Sequence, residues 1–239
     1  MLRTFWASNL TQLIWIRCPF MNQPLDDRQY APATQRNRDA ILSVLSEVLP
    51  ATGTVLEISS GTGEHAIFLA PRLAPRHWIP SDLNPLAIAS IAAWQKEHPA
   101  ANLYPPIHLN VCDLKWAVEQ QLLPEPLQGL NLIEQSIRAI VNINMIHIAP
   151  WAACLGLMAG AERILPPDGI LYLYGPFKQN SNHTADSNVE FDQSLQAQNP
   201  EWGVRNLEDV VAVAQTHNLS LFKTYAMPAN NLSVAFQRN

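Results

Sequence analysis

The sequence predicts an α/β domain, doubly wound around a mostly parallel sheet and layered helix–sheet–helix. Three observations carry this prediction. Between residues 54 and 174, short apolar strands alternate with helical segments. A glycine-bearing turn stands between the first strand and the helix after it. The chain closes with two apolar runs joined by a short turn, so the sheet should end in an antiparallel pair. Strands that are apolar throughout need helices over both faces, which marks parallel pairing. Such crossovers are right-handed.

The elements follow in order. Residues 34–49 set Ile41, Leu42, Leu45, Val48 and Leu49 at helical spacing, and Pro50 and Gly53 stop the helix. Residues 54–58 form a β-branched apolar strand, 63–73 a helix, and 77–80 a second strand ending at Ser81-Asp82. Asn84 and Pro85 suit the N-cap and first position of a helix running to about 98. Residues 107–111 read as a strand, and 115–136 as partly helical, broken by Pro124 and Pro126. A strand over 137–146, a helix over 151–165 and a strand over 170–174 complete the alternation. The stretch 175–205 is polar and loop-rich, with a helix over 188–198. A helix over 207–217 and strands over 219–226 and 232–237 end the chain.

The 239 residues, at 26.7 kDa, suit one large core. With 48% hydrophobic residues and only 9 glycines, disorder is excluded. A net charge of −5, from 15 Lys+Arg against 20 Asp+Glu, argues against a binder of nucleic-acid backbones. Cys18, Cys112 and Cys154 are scattered, with no Cys-x-x-Cys pair. They build neither a disulfide framework nor a zinc site, so no metal is expected, and they fit a reducing cytoplasm. Near the N-terminus the apolar run 10–16 is interrupted by Thr11 and Gln12 and ended by Arg17. It is too short to span a bilayer and does not resemble a signal peptide, so no membrane partner is expected. Residues 1–28 read as an extension, with 29–239 as one domain in which 175–205 is a lid-like insertion.

The chemistry concentrates at Val55-Leu-Glu-Ile-Ser-Ser-Gly-Thr-Gly-Glu-His65. Gly61 and Gly63 let backbone N–H groups approach a ligand, and the helix N-terminus beyond them favours a negative group. Asp82 ends the second strand, where a carboxylate can accept from both ribose hydroxyls. Asp113 ends the third and can accept from an adenine amino group. Each also suits the N-cap of a following helix, but with the glycine turn the three favour a nucleoside site. Gly61-Thr-Gly-Glu-His-Ala66 fits the nicotinamide dinucleotide pattern. Tyr174 and Lys178 have the spacing of a reductase pair, although Gly175-Pro176 opposes the helix that pair needs. Glu57, four residues before Gly61, fits instead the acid that opens the S-adenosylmethionine version of the turn, with Ser59 where its first glycine would stand.

Glu57–His65 with Asp82 and Asp113 resembles class I S-adenosylmethionine-dependent methyltransferases. Further stretches are similar to one branch, the domain-of-unknown-function 938 family or methyltransferase-like 26 group. They are Tyr30-Ala-Pro-Ala with Arg36-Asn37, Asn144-Met-Ile-His-Ile-Ala-Pro-Trp151, Tyr174-Gly-Pro-Phe-Lys178, Asn182-His-Thr184, Ser187-Asn188 with Phe191-Asp192 and Ser194-Leu195, Trp202-Gly-Val-Arg205, and Met227-Pro-Ala-Asn-Asn-Leu232. The likeness runs over about 29–238. It implies a seven-stranded Rossmann-like methyltransferase sheet with an antiparallel last strand, S-adenosylmethionine as cofactor, and transfer of a methyl group to a small molecule.

Carried over by position, Gly61 and Gly63, with Glu57 and Ser59, would border the methionine part of the cofactor. Asp82 would bind the ribose and Asp113 the adenine, with the neighbouring Leu83 and Cys112 as further cofactor-binding residues. Asn144 would lie near the transferred methyl, and Tyr30, Arg36 and Asn37 would cap the cofactor carboxylate. Where the acceptor must lose a proton, His147 and His183 are the candidate bases. Each also suits a merely structural histidine. Lys178 and Arg205 are candidate anchors for an acidic acceptor, and Trp151, Phe177 and Trp202 candidate pocket walls. A nicotinamide-dependent reductase and a non-catalytic cofactor-binding protein remain as alternatives at this point.

Overall fold

The computed structural model describes residues 26–119, 127–128 and 137–239. Residues 1–25, and most of the stretch 115–136 read as partly helical, lie outside them.

Seven strands form the main sheet: β1 (Thr54–Ile58), β2 (His77–Asp82), β3 (Ile107–His108), β4 (Ile137–Ile143), β5 (Ile170–Gly175), β9 (Leu219–Met227) and β10 (Asn231–Arg238). Their spatial order is β3-β2-β1-β4-β5-β10-β9. The five strands from β3 to β5 pair parallel, while β10 pairs antiparallel with both β5 and β9. The expected doubly wound sheet with an antiparallel last strand is therefore present.

Alternation along the strands supplies two cores. In β4, Ile137 and Ile140 face one side while Ala139, Val141 and Ile143 face the other. β5 does the same, with Leu171 and Leu173 opposite Ile170, Tyr172 and Tyr174. On one face α1 (Pro32–Val48) and α2 (Glu64–Arg72) bury Ile41, Leu45 and Leu69 against the sheet, and α3 (Pro85–Glu97) packs beside α2. On the other, α4 (Trp151–Ile164) and α6 (Leu207–Thr216) bury Leu157, Met158, Val210 and Ala214. Fully burying one such aliphatic side chain contributes about 1.5–3 kcal/mol.

Two strands are shorter than expected, for local reasons. β3 stops at His108 because the Asn110 side chain accepts from the Cys112 N–H at 3.0 Å and turns the chain. β4 stops at Ile143 because Asn144 takes a left-handed conformation, φ +64°. The stretch 175–205 holds more order than its composition suggested. β6 (Phe177–Gln179), β7 (Asn182–His183) and β8 (Arg205–Asn206) form a small sheet of order β7-β6-β8, and α5 (Asp186–Gln198) follows β7. Strands of two or three residues carry no readable periodicity. No described helix is long and apolar enough to cross a membrane.

Candidate active site

Two adjoining cavities open at the carboxyl ends of the central strands. The first, about 750 Å³, is built around the β1–α2 turn. Its residues leave β1 with no room for regular structure. Ser59, Gly61 and Gly63 have φ of +56°, +57° and +89°. A Cβ at Gly63 would stand 2.9 Å from the Ile91 backbone on α3, so only glycine fits there. A Cβ at Gly61 would meet nothing within 4 Å, and Gly61 lines the cavity, so its bare α-carbon is a surface a ligand can approach. Ser59 adopts the left-handed conformation without being glycine, at a cost of about 1–2 kcal/mol.

Asp82, at the end of β2, is fixed by this turn. Its Oδ2 accepts from the Gly61 N–H at 2.9 Å, and its Oδ1 from the Asn84 N–H at 2.8 Å. Each oxygen keeps a further lone pair, and the residue lines the cavity. Glu57 lies deeper, 1% exposed, with Oε2 accepting from the Trp78 indole at 2.8 Å. Burial pushes its carboxyl up to about 7, against the opposing pull of the hydrogen bonds from Trp78 and Ser60. Two helices aim their first turns here. Ala31, Ala33 and Thr34 of the α1 start, and Thr62 and His65 about the α2 start, line the cavity; the Ala31 N–H is taken by the Glu64 carboxylate, while the α2 N-cap, Gly63, has no side chain to cap its helix. The first-turn N–H groups of α2 thus supply positive potential.

The second cavity, about 670 Å³, shares Ala33, Asn144 and Ile148 with the first. His147 forms part of its inner wall, 3% exposed, edge-on to Phe191 of α5 with ring centroids 5.7 Å apart. Its Nδ1 is buried without a hydrogen-bond partner among the described residues. Burial, helped by the nearby Arg205 charge, lowers the imidazole to about 4, so it is neutral at physiological pH. Gly175 makes room for the ring: a Cβ there would sit 3.0 Å from Cε1.

Glu57, Ser59, Gly61, Asp82, Leu83, Cys112 and Asn144 all line the first cavity, and Gly63 holds the turn from outside the lining. Asn144 joins the two cavities, and His147, Arg36 and Asn37 line the second. Asn37 Oδ1 accepts from His65 Nε2–H at 2.9 Å, and its side chain also hydrogen-bonds Tyr174. Three candidates stand elsewhere. Tyr30, 60% exposed, packs edge-on against Trp94 on the outer side of α2 and α3. Asp113 is exposed and accepts from the Asn110 amide at 3.2 Å, because the Asn110 turn carries it off the wall and leaves Asn110 and Cys112 there. His183 lines neither cavity: its Nε2 is 3.2 Å from Asp192 Oδ2, which Lys178 also grips at 2.7 Å.

The candidate anchors for an acidic acceptor are spent in the same way. Lys178 is ion-paired with Asp192, and Arg205 donates to the carbonyls of Ile146, Ala149 and Glu201. Lys178 lies in β6 and Tyr174 in β5, so no helix brings the reductase spacing onto one face. Phe177 is core, fully buried. Residues that sequence reasoning missed include His65, Asn110 and Ile148 of the first cavity, and Asn188, Ala229 and Asn231 of the second. All but Asn110 lie in stretches quoted above, which gave them no role in a site. Among the described residues no group of three or more His, Cys, Asp or Glu is placed to hold a metal ion.

Solved structures share this fold at low identity. An O-methyltransferase family protein of Burkholderia thailandensis matches with TM-score 0.67 and 14% identity over 87% of this chain and 57% of its own. Human N-acetylserotonin methyltransferase, in complex with SAM, matches at 0.64 and 12% over 87% and 53%. An O-methyltransferase family 2 protein of Planctomyces limnophilus, in complex with apigenin, matches at 0.64 and 14% over 84% and 62%. The chain thus spans a little over half the length of these structures. The model of one protein family, a protein of unknown function designated DUF938, matches residues 28–238. On that match the chain belongs to the DUF938 family.

Proposed function

We propose that the chain is an S-adenosylmethionine-dependent methyltransferase of the methyltransferase-like 26 type, acting on a small molecule. The observation that carries this is the Asp82 carboxylate, held by the Gly61 and Asn84 N–H groups on the wall of the first cavity beside the open face of Gly61. That donor set fits a nucleoside with a zwitterionic tail. Asp82 receives ribose hydroxyls, and Leu83 and Cys112 flank the base with Asn110 at its edge. The first turn of α2 receives a carboxylate, and Glu57, once ionised, faces an ammonium group. The bound cofactor supplies an electrophilic methyl group.

The chain's own residues then position the acceptor and handle its proton. Asn144 stands where the cavities meet, and His147 beyond it lines the second cavity with a neutral imidazole that can take a proton from the acceptor. The 175–205 stretch acts as a lid, with Asn188 and Phe191 of α5 closing the acceptor's side and excluding water. The likeness to methyltransferase structures, one of them in complex with SAM and another an SAH-bound form, supports the reading. Isothermal calorimetry with S-adenosylmethionine and S-adenosylhomocysteine tests it. Saturable binding of both is expected, and a folded protein that binds neither overturns it.

A further inference from the structure

The second cavity carries a sign of charge. Of its lining residues only Arg36 is charged in the ordinary state, and no carboxylate lines it. Arg36 lies one turn along α1 from Ala33, on the helix face that meets both cavities. Its guanidinium is exposed and has no ion pair or hydrogen bond among the described residues. Asp186 and Glu190, the acids flanking Ser187 and Phe191 on α5, are not part of the lining. The inner wall opposite is neutral: His147, with Asn144, Asn188 and Tyr174. Phe191, Pro176 and Pro228 add apolar surface.

A chamber of this kind disfavours a cationic acceptor, which would bring its charge beside an unpaired guanidinium. It suits an anionic one, because a planar guanidinium binds a carboxylate through two parallel hydrogen bonds. Nor does the cofactor require Arg36, since the first turn of α2 already supplies N–H groups to the first cavity. We infer that the acceptor is a small hydroxylated organic acid, whose carboxylate Arg36 anchors while its hydroxyl reaches Asn144 and His147. The inference rests on the methyltransferase reading above and adds the substrate class.

The test uses the full chain with methyl-labelled S-adenosylmethionine and cell extracts freed of macromolecules and separated, before reaction, into acidic, neutral and basic fractions. Label is expected in products of the acidic fraction. Arg36→Ala, an exposed change on α1, should raise the KM for that fraction about 10- to 100-fold and leave S-adenosylhomocysteine affinity unchanged. Arg36→Lys should restore part of the loss. Label arising only from the neutral or basic fraction overturns the inference and leaves the methyltransferase reading intact. So does an Arg36→Ala variant whose main loss is in S-adenosylhomocysteine affinity. A chain that binds the cofactor yet labels no fraction refutes both together.

Discussion

Glu57 offers a quantitative test of the site's construction. Its carboxyl is enclosed at the end of β1, with the Trp78 indole as donor, and burial raises it from the ordinary value near 4.5 to about 7. Because the folded value is the higher one, the folded chain holds a proton that the unfolded chain has released. Between pH 4.5 and 7 stability therefore falls as pH rises, and above 7 the loss is complete. The interval corresponds to roughly 3 kcal/mol, most of which develops between pH 5 and 8. Glu57→Gln keeps the shape and an oxygen for Trp78 but cannot ionise. Urea unfolding of both proteins at pH 5 and pH 8 measures the difference. The variant should gain on the wild type by about 2–3 kcal/mol on moving to pH 8, whatever the other titrating groups do. Equal differences at the two pH values would refute the claim that this carboxylate is enclosed.

Further outcomes are expected elsewhere in the site. Ser59→Gly relieves a left-handed serine and should stabilise the chain by about 1 kcal/mol in urea unfolding, with S-adenosylhomocysteine affinity retained. Asp82→Ala should weaken S-adenosylhomocysteine by about 1–3 kcal/mol in calorimetry, since it removes a charged acceptor from the cavity wall. His65 and His147 are both held by burial near 4, below their ordinary 6.5. On acidification the unfolded chain protonates first, so the stability they contribute is present above about 6.5 and is lost as pH falls toward 4. Their joint replacement by Gln should flatten the acid limb of the stability curve between those values, followed by denaturant midpoints across pH.

Much of the architecture was legible because it rests on local signals. Thr54–Ile58 has the same bounds in the sequence reading and in the fold, since a β-branched run between Gly53 and a glycine turn has one sensible reading. Asn84 caps α3 as its chemistry predicts, accepting from the Leu86 N–H at 3.0 Å. The grouping of Glu57, Ser59, Gly61 and Asp82 about one cavity was legible for the same reason: the ends of successive strands converge on one crevice. Asp113 shows where this stops. Its neighbour Cys112 lines the cavity, but a side-chain turn at Asn110 decides which of the two faces inward. Lys178, Arg205 and His183 show another limit. Their partners, Asp192 and the carbonyls of 146, 149 and 201, are brought to them only by the tertiary fold. Arg36 is a different case: the resemblance set it at the cofactor carboxylate, whereas it lines the second cavity, without a partner among the described residues.

The central claim is that the first cavity is a nucleoside cofactor site whose reactive end opens on the second. A crystal structure grown with S-adenosylhomocysteine tests it most directly. The account predicts ribose hydroxyls on the Asp82 carboxylate, the base beside Leu83 and Cys112, and the sulfur turned toward Asn144 and His147. A ligand bound elsewhere, or one in the first cavity whose sulfur faces away from Asn144, would contradict it.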